Sequence, residues 1–284
     1  MRFAIIGVGG YIAPRHVKAI KETGNELVAA LDPHDSVGFL DSYFPNCEFF
    51  TQYERFDRYL DKMKRRGEPI DYVVICSPNY LHDAHIRSAL RNGCNVICEK
   101  PVVLEPHNIF ALKDIEKETG KKVNVILQRR LHPDLIALKK KIKERNEFHN
   151  VHIKFYAPRG KWYDISWKGK QELSGGIVTN IGIHIFDLMY WFFGHPKIKS
   201  TLILDKHNVS GTINFDNADV RWNLSTSGKE QERLFKIDGE EVDFTSGNDY
   251  LHTKSYEEIL AGRGFTLDDA LPSLRMVYNM RGEK

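Results

Sequence analysis

A lysine closes the apolar run Asn95-Val96-Ile97-Cys98 in Glu99-Lys100-Pro101, where a buried strand would end. An ammonium at such a strand end can hydrogen-bond an alcohol and stabilise the alkoxide character that develops as hydride leaves. The proline after it fixes the backbone. A second chemical setting is Gly7-Val8-Gly9-Gly10-Tyr11-Ile12, which follows a strand-like run and opens a helix-like one. Glycines there let backbone N–H groups approach a pyrophosphate, and the helix N-terminus adds favourable partial charge. Ile12 stands where a third glycine would complete the fingerprint, so a plain tight turn is the competing reading. Asp32 ends the next apolar run about twenty residues on, placed to accept from a ribose diol and to repel a 2′-phosphate, which favours NAD over NADP. Its alternative is a local cap before Pro33. Ser77 and Asn79, in Ser77-Pro78-Asn79, close a third apolar run, and in an open α/β sheet ligands sit outside the carboxyl ends of strands.

The elements that must carry these residues alternate. Strand-like runs at 3–7, 27–32, 72–78, 95–101 and 123–128 are separated by helical patterns at about 13–23, 53–65, 81–93 and 106–119. Strands apolar on both faces between helices indicate a doubly wound parallel sheet. From about 131 the pattern changes to a helix (131–145), an alternating strand (151–157), a basic and aromatic loop (158–173), an apolar helix (177–193), four or five alternating strands (198–244) and two last helices. The fold class is therefore α/β: a Rossmann domain over 1–130 and an α+β domain with an open, largely antiparallel sheet over 131–284. The lysine run Lys139-Lys140-Lys141 is read as the solvated face of its helix.

Length and composition agree. With 284 residues, 42 % hydrophobic and 28 % charged, the chain is sized for two ordinary globular domains. A net charge of +3 gives no case for nucleic acid or an anionic membrane as partner. The N-terminal apolar run breaks into glycines too soon for a secretory signal, and no stretch is long enough for a membrane span. Cys47, Cys76, Cys94 and Cys98 read as reduced cysteines of a cytoplasmic protein, and no metal site is expected.

Together the glycine turn, the strand-ending acid, Ser77-Pro78-Asn79-Tyr80-Leu81-His82 and Glu99-Lys100-Pro101 resemble the Gfo/Idh/MocA family of NAD(P)-dependent sugar and polyol oxidoreductases. Gly175-Gly176-Ile177-Val178-Thr179-Asn180-Ile181-Gly182-Ile183-His184-Ile185-Phe186-Asp187 resembles that family's G-G-x-x-x-D-x-G-x-H-x-x-D helix. Segments 10–16, 159–163, 166–169 and 251–264 narrow the likeness to the WlbA/WbpB-type group, UDP-N-acetylglucosaminuronate 3-dehydrogenases of O-antigen lipopolysaccharide biosynthesis. The resemblance implies NAD as cofactor, oxidation of a sugar C3′ hydroxyl to a ketone, and a homotetramer packed through the C-terminal sheets. It adds Tyr11, Ile12, Asp35, His82, Glu99, Lys100 and Gln128 to the cofactor-binding candidates Gly7, Gly9, Gly10, Asp32, Ser77 and Asn79.

Asn180, His184 and Asp187, spaced i, i+4 and i+7, would share one helix face. The positive end of that helix disfavours imidazolium, and a neutral imidazole is what a general base needs. Asn180 stands where the family pattern has Asp. An amide orients a hydroxyl but takes no proton, so the base is His184, or Lys100 if burial depresses its pKa. Arg159, Lys161 and Lys168 are candidates for a diphosphate, and Trp162, Tyr163 and Trp167 for uracil or sugar. Arg15 and Arg129 are candidates for the uronate carboxylate or the phosphates. His252 and Tyr256 either line the substrate or pack the last helices. Two rival readings stand: a relative acting on another nucleotide sugar or a polyol, and a non-catalytic NAD-binding sensor. The charged loop speaks against an uncharged polyol, and a pure binder has no use for both Lys100 and His184.

Overall fold

The computed structural model describes residues 1–145, 147–244 and 248–281. Two units divide the chain: Met1–Ile126 with Asp249–Ala270, and Leu127–Asn248 with Leu271–Lys284.

The first unit begins β1 (Arg2–Ile6), α1 (Ala13–Glu22), β2 (Glu26–Leu31), β3 (Glu48–Phe50), α2 (Tyr53–Arg65) and β4 (Tyr72–Ile75). It continues α3 (His82–Arg91), β5 (Asn95–Cys98), α4 (Asn108–Thr119) and β6 (Val123–Val125). The sheet order is β3-β2-β1-β4-β5-β6 and every pairing is parallel. β1, β2, β4 and β5 are apolar and buried along nearly their whole length, as a sheet covered on both faces requires. The helices supply that cover with one face each, as α2 does with Phe56, Leu60 and Met63 at i, i+4 and i+7. Strand order reverses between β1 and β4, which fixes the place where a doubly wound sheet holds its ligand.

The second unit contains α5 (Pro133–Arg145), β7 (His149–Tyr156), α6 (Trp162–Ile165), α7 (Gln171–Ser174), α8 (Gly176–Asn180) and α9 (Ile183–Phe193). The strands β8 (Ile198–Asp205), β9 (Asn208–Asn214), β10 (Ala218–Ser225), β11 (Glu232–Ile237) and β12 (Glu240–Glu241) follow. Its sheet runs β12-β11-β7-β10-β9-β8, antiparallel except for β7 beside β10. β7 alternates buried and open positions, so one face carries the core. Phe186 of α9 meets Trp222 of β10 edge-on at 5.1 Å, and Phe192 stacks on Phe235 of β11. The lysine run of α5 is mostly solvated, with Lys139 over the Trp191 ring at 4.3 Å.

Two expectations change. The apolar helix anticipated over 177–193 is two helices, bent by 48° between 171–180 and 183–193. Ile181 and Gly182 both donate to the Ile177 carbonyl, which ends α8, and the Gly182 carbonyl starts α9. A Cβ on Gly182 would press into the Val178 carbonyl, Phe186 and Leu224, so only glycine fits the corner. The second change concerns domain limits. After β12 come α10 (Asn248–Leu260) and α11 (Leu267–Met280), and residues 249–270 belong to the first unit rather than to the continuous second domain expected over 131–284. The reason is burial: Tyr256 and Ile259 of α10 join Phe3, Ile5, Val17 and Ile20 in one apolar cluster. No single helix among the described residues is long and apolar enough to cross a membrane.

Candidate active site

In the first unit the glycine turn is fixed by its backbone. Gly7 has φ +84°, and a Cβ there would lie 2.6 Å from the carbonyl carbon of Cys76 and the nitrogen of Ser77, on the neighbouring β4 end. Gly7 and Val8 donate to the Leu31 carbonyl at 2.7 and 3.2 Å. Gly9 is exposed and donates its N–H to Asp32 Oδ2 at 2.9 Å, while Oδ1 accepts from the His34 N–H at 2.9 Å. A carboxylate has about four lone-pair sites, so Asp32 both caps the turn and keeps capacity for a ribose diol. Helix α1 starts without a side-chain cap; Ala13 and Arg15 donate to the Gly10 and Ile12 carbonyls at 3.1 Å and Pro14 has no N–H, so the helix end offers an anion its positive partial charge. These features fit a dinucleotide pyrophosphate on the turn. Tyr11 and Asp35 are exposed beside it, Gly10, Ile12 and Arg15 half-buried.

The strand-end candidates are more constrained than their sequence suggested. Ser77, 6 % exposed, bonds His85 Nδ1 through its hydroxyl at 2.9 Å. His82 is 1 % exposed, with Nδ1 at 2.8 Å from the Pro101 carbonyl and Nε2 at 2.8 Å from the Ser77 carbonyl. Both ring nitrogens are thus spent on protein, and His82 straps the β4 and β5 ends together instead of meeting a cofactor directly. Glu99 is likewise enclosed, with His16 Nε2 at 3.0 Å and His252 Nε2 at 3.2 Å from its Oε1. His252 and Tyr256 are both 0 % exposed. Both are enclosed in the packing of their unit. Their donor atoms and those of His16 and Glu99 do form a buried group: His16, Glu99 and His252 lie within 4.8 Å of one another, a spacing a metal ion could also use. Asn79 is buried and Lys100 half-buried.

In the second unit Gln128, Arg129 and Arg130 occupy one short turn at 128–131. Gln128, expected in the first domain, falls in this unit, and its buried Oε1 has no partner among the described residues. Arg129 donates to the Phe244 carbonyl and lies 5.0 Å over that ring, with burial and Arg233 pushing its pKa down to about 10. It is therefore anchored in its own unit. Arg130 forks onto Asp187 at 2.6 and 2.9 Å, both side chains 5 % exposed. Asp187, expected on one face with His184, is thus held in an ion pair. His184 is the second residue of α9, nearer a helix N-terminus than the unbroken helix would have put it, a setting unfavourable to imidazolium. Asn180 ends the preceding helix and hydrogen-bonds the buried Tyr163, whose phenol burial pushes up.

Lys168 sits 5.8 Å from both the Trp162 and Trp167 rings, and burial, then Arg159, lowers its pKa. Tyr163, Lys168, Gly175, Gly176, Lys206 and Arg281 line a small recess open to solvent. Arg159 and Lys161 are exposed, and neither lines it. Lys206 and Arg281 carried no signal in sequence: one lies on a hairpin turn, the other at the end of the last helix. His16 and His85 were equally silent, since each occupies an ordinary buried helix position.

Residues 1–127 match the NAD-binding Rossmann-fold domain, and 139–278 the C-terminal alpha/beta domain, of the Gfo/Idh/MocA oxidoreductase family. The chain is 45 % identical to the WlbA (WbpB) dehydrogenase of Thermus thermophilus, solved with NAD and UDP-GlcNAcA, at TM-score 0.95 over 100 % of this chain and 95 % of that one. The same dehydrogenase solved with NAD and alpha-ketoglutarate superposes at TM-score 0.96. Among curated relatives, inositol 2-dehydrogenase of Rhizobium meliloti (strain 1021) is 28 % identical over 213 residues, which is 72 % of this chain and only 60 % of that protein.

Proposed function

Since this chain belongs to the Gfo/Idh/MocA oxidoreductase family, we propose that it oxidises the C3′ hydroxyl of UDP-N-acetylglucosaminuronic acid to the 3-keto sugar acid. The observation that carries this reading is the whole-length, 45 % likeness to a dehydrogenase solved with NAD and UDP-GlcNAcA, together with this chain's own Lys100 and His184. NAD⁺ on the glycine turn supplies the hydride acceptor. Gly7, Gly9 and Gly10 open the backbone to its pyrophosphate, and Asp32 takes the ribose diol. His184 removes the hydroxyl proton, and the Lys100 ammonium stabilises the oxygen as negative charge builds on it. Asn180, tied to Tyr163, orients the sugar. The recess bearing Lys168, Lys206 and Arg281 suits the diphosphate, because charge-assisted hydrogen bonds from ammonium and guanidinium groups hold phosphate oxygens. The alpha-ketoglutarate complex of the Thermus protein supports 2-oxoglutarate as the hydride acceptor that regenerates NAD⁺ and leaves as a 2-hydroxy acid. Four free cysteines support a cytoplasmic setting, and the sequence likeness to the WlbA/WbpB-type group carries the expectation of a homotetramer that supplies O-antigen sugars.

The test is NADH absorbance with UDP-GlcNAcA, UDP-GlcNAc or free inositol. Turnover is expected with the first alone or far above the others. Equal turnover of inositol would return the polyol reading, and cofactor binding without any turnover would return the sensor. Lys100→Ala and His184→Ala should each lower kcat about 10²–10⁴-fold with NAD binding retained, and Lys168→Ala should raise KM for the nucleotide sugar with kcat little changed. Wild-type turnover in either of the first two variants refutes the assigned chemistry.

A further inference from the structure

Glu99, the residue before the lysine, is gripped from three sides. Its Oε1 faces His16 Nε2 at 3.0 Å and His252 Nε2 at 3.2 Å, and its Oε2 accepts the backbone N–H of Lys100 at 3.3 Å. His16 Nδ1 lies 2.9 Å from the Tyr256 hydroxyl. One assignment of protons satisfies these contacts: the Tyr256 O–H donates to His16 Nδ1, His16 and His252 donate from Nε2, and Glu99 is ionised. The acidities agree. Burial, the largest influence, holds the His16 ring below its ordinary pKa. At Glu99 burial works upward, yet the donors His16 and His252 bring the carboxyl well below the usual range.

All four side chains belong to the first unit and are buried, from 0 % exposure at His16, His252 and Tyr256 to 6 % at Glu99. His16, His252 and Tyr256 are closed to any cofactor or substrate as they stand. Burying a carboxylate is costly unless hydrogen bonds compensate, and an apolar set of similar volume would stabilise the fold as well or better. The anion is nonetheless placed one residue from Lys100, and His82 holds the Pro101 carbonyl on the other side. We propose that Glu99, clamped by His16 and His252, is a positioning residue for Lys100. It fixes the lysine's main chain through the N–H bond and sets a permanent negative charge against that main chain. α10, arriving late in the chain, completes this clamp with His252 and Tyr256. The other titratable groups facing Glu99 are His82, Cys76, Cys98 and Tyr256; burial pushes the thiols and the phenol well up, so they stay neutral.

This inference rests on the role given to Lys100 above, and the experiment separates the two. Glu99→Gln keeps the shape and removes the charge. It should bind NAD as wild type does, with KM within about threefold and kcat down about 10–100-fold, the usual loss when a supporting hydrogen-bond partner is removed. The alkaline limb of its pH–kcat profile should move to lower pH, because without the anion at its main chain the Lys100 ammonium loses its proton more easily. His252→Gln, whose amide can still donate, should keep most activity, and His252→Leu should not. If Glu99→Gln fails to fold, the His252 pair carries the test. Reduced melting temperature with unchanged kcat and pH profile in all three variants would make the cluster merely structural and overturn the proposal. One equivalent of zinc bound by wild type and lost in Glu99→Gln would overturn it in favour of a metal centre. If Lys100→Ala retains turnover, the reading underneath falls; if Lys100→Ala is inactive and Glu99→Gln is wild-type in kcat and pH profile, only this inference falls.

Discussion

Asp187→Asn tests whether the acid three residues beyond His184 serves structure or chemistry. In the structure its carboxylate takes two guanidinium bonds from Arg130, at 2.6 and 2.9 Å, with both side chains 5 % exposed. The substitution is nearly isosteric, so its cost is electrostatic: a buried guanidinium loses its counter-charge. Breaking such a pair from one side costs about 3–5 kcal/mol, whereas replacing both partners by apolar residues is often neutral or better. For a domain of this size 1 kcal/mol moves Tm by about 2–4 °C, giving a fall of roughly 6–20 °C. Thermal melts of Asp187→Asn, Arg130→Met and the Arg130→Met/Asp187→Leu double variant should show two large drops and a double variant well above either single one. Turnover measured well below the transitions should stay within a few-fold of wild type. A melting temperature within about 2 °C of wild type, combined with a hundredfold loss of kcat, would refute the structural role and move Asp187 into the chemistry.

Two further outcomes follow from the first unit. Gly7→Ala forces a side chain to φ +84° and drives its Cβ to 2.6 Å from the Cys76 and Ser77 backbone; beyond about 1–3 kcal/mol of backbone strain, NAD affinity by calorimetry should fall at least tenfold. Gly24→Ala, at φ +71° with nothing within 4 Å of the new Cβ, should show strain alone and bind NAD normally; equal affinities in the two variants would mean that the close approach at Gly7 is irrelevant. His85 is 8 % exposed, and burial, then His82, pushes its pKa down to about 4. The unfolded chain therefore takes up the proton first, so stability is complete above about pH 6.5 and declines toward pH 4, by at most about 3 kcal/mol. Urea melts across that range should show a flatter decline in His85→Gln; an unchanged slope would show that His85 titrates normally.

The parallel sheet and its glycine turn were readable because their causes are local. β1 announces itself as an unbroken apolar run, and Gly7 sits in a turn where any Cβ would lie 2.6 Å from another stretch of backbone. Lys100 was legible for a similar reason: a strand end in a doubly wound sheet is a ligand position whatever follows. β3, with three residues, was too short for any period to reveal. The break between α8 and α9 left one trace, Gly182, inside an otherwise continuous apolar pattern. What breaks the helix is the crowding of Val178, Phe186 and Leu224 around that glycine, and Leu224 comes from a distant strand.

The side chains that are shared tell the opposite story. His82, Glu99, Arg129, His252 and Tyr256 have the residue types of a binding site, and the sequence by itself determined no more than that. Whether such a group faces solvent or another side chain depends on which distant element closes over it. α10 returns to the first unit and buries Tyr256 against His16, 240 residues away in the chain, and Phe244 does the same to Arg129, 115 residues away. Local pattern sets period and turn, since these depend on neighbours in the chain; tertiary packing alone decides which polar groups are spent on one another, because that depends on neighbours in space.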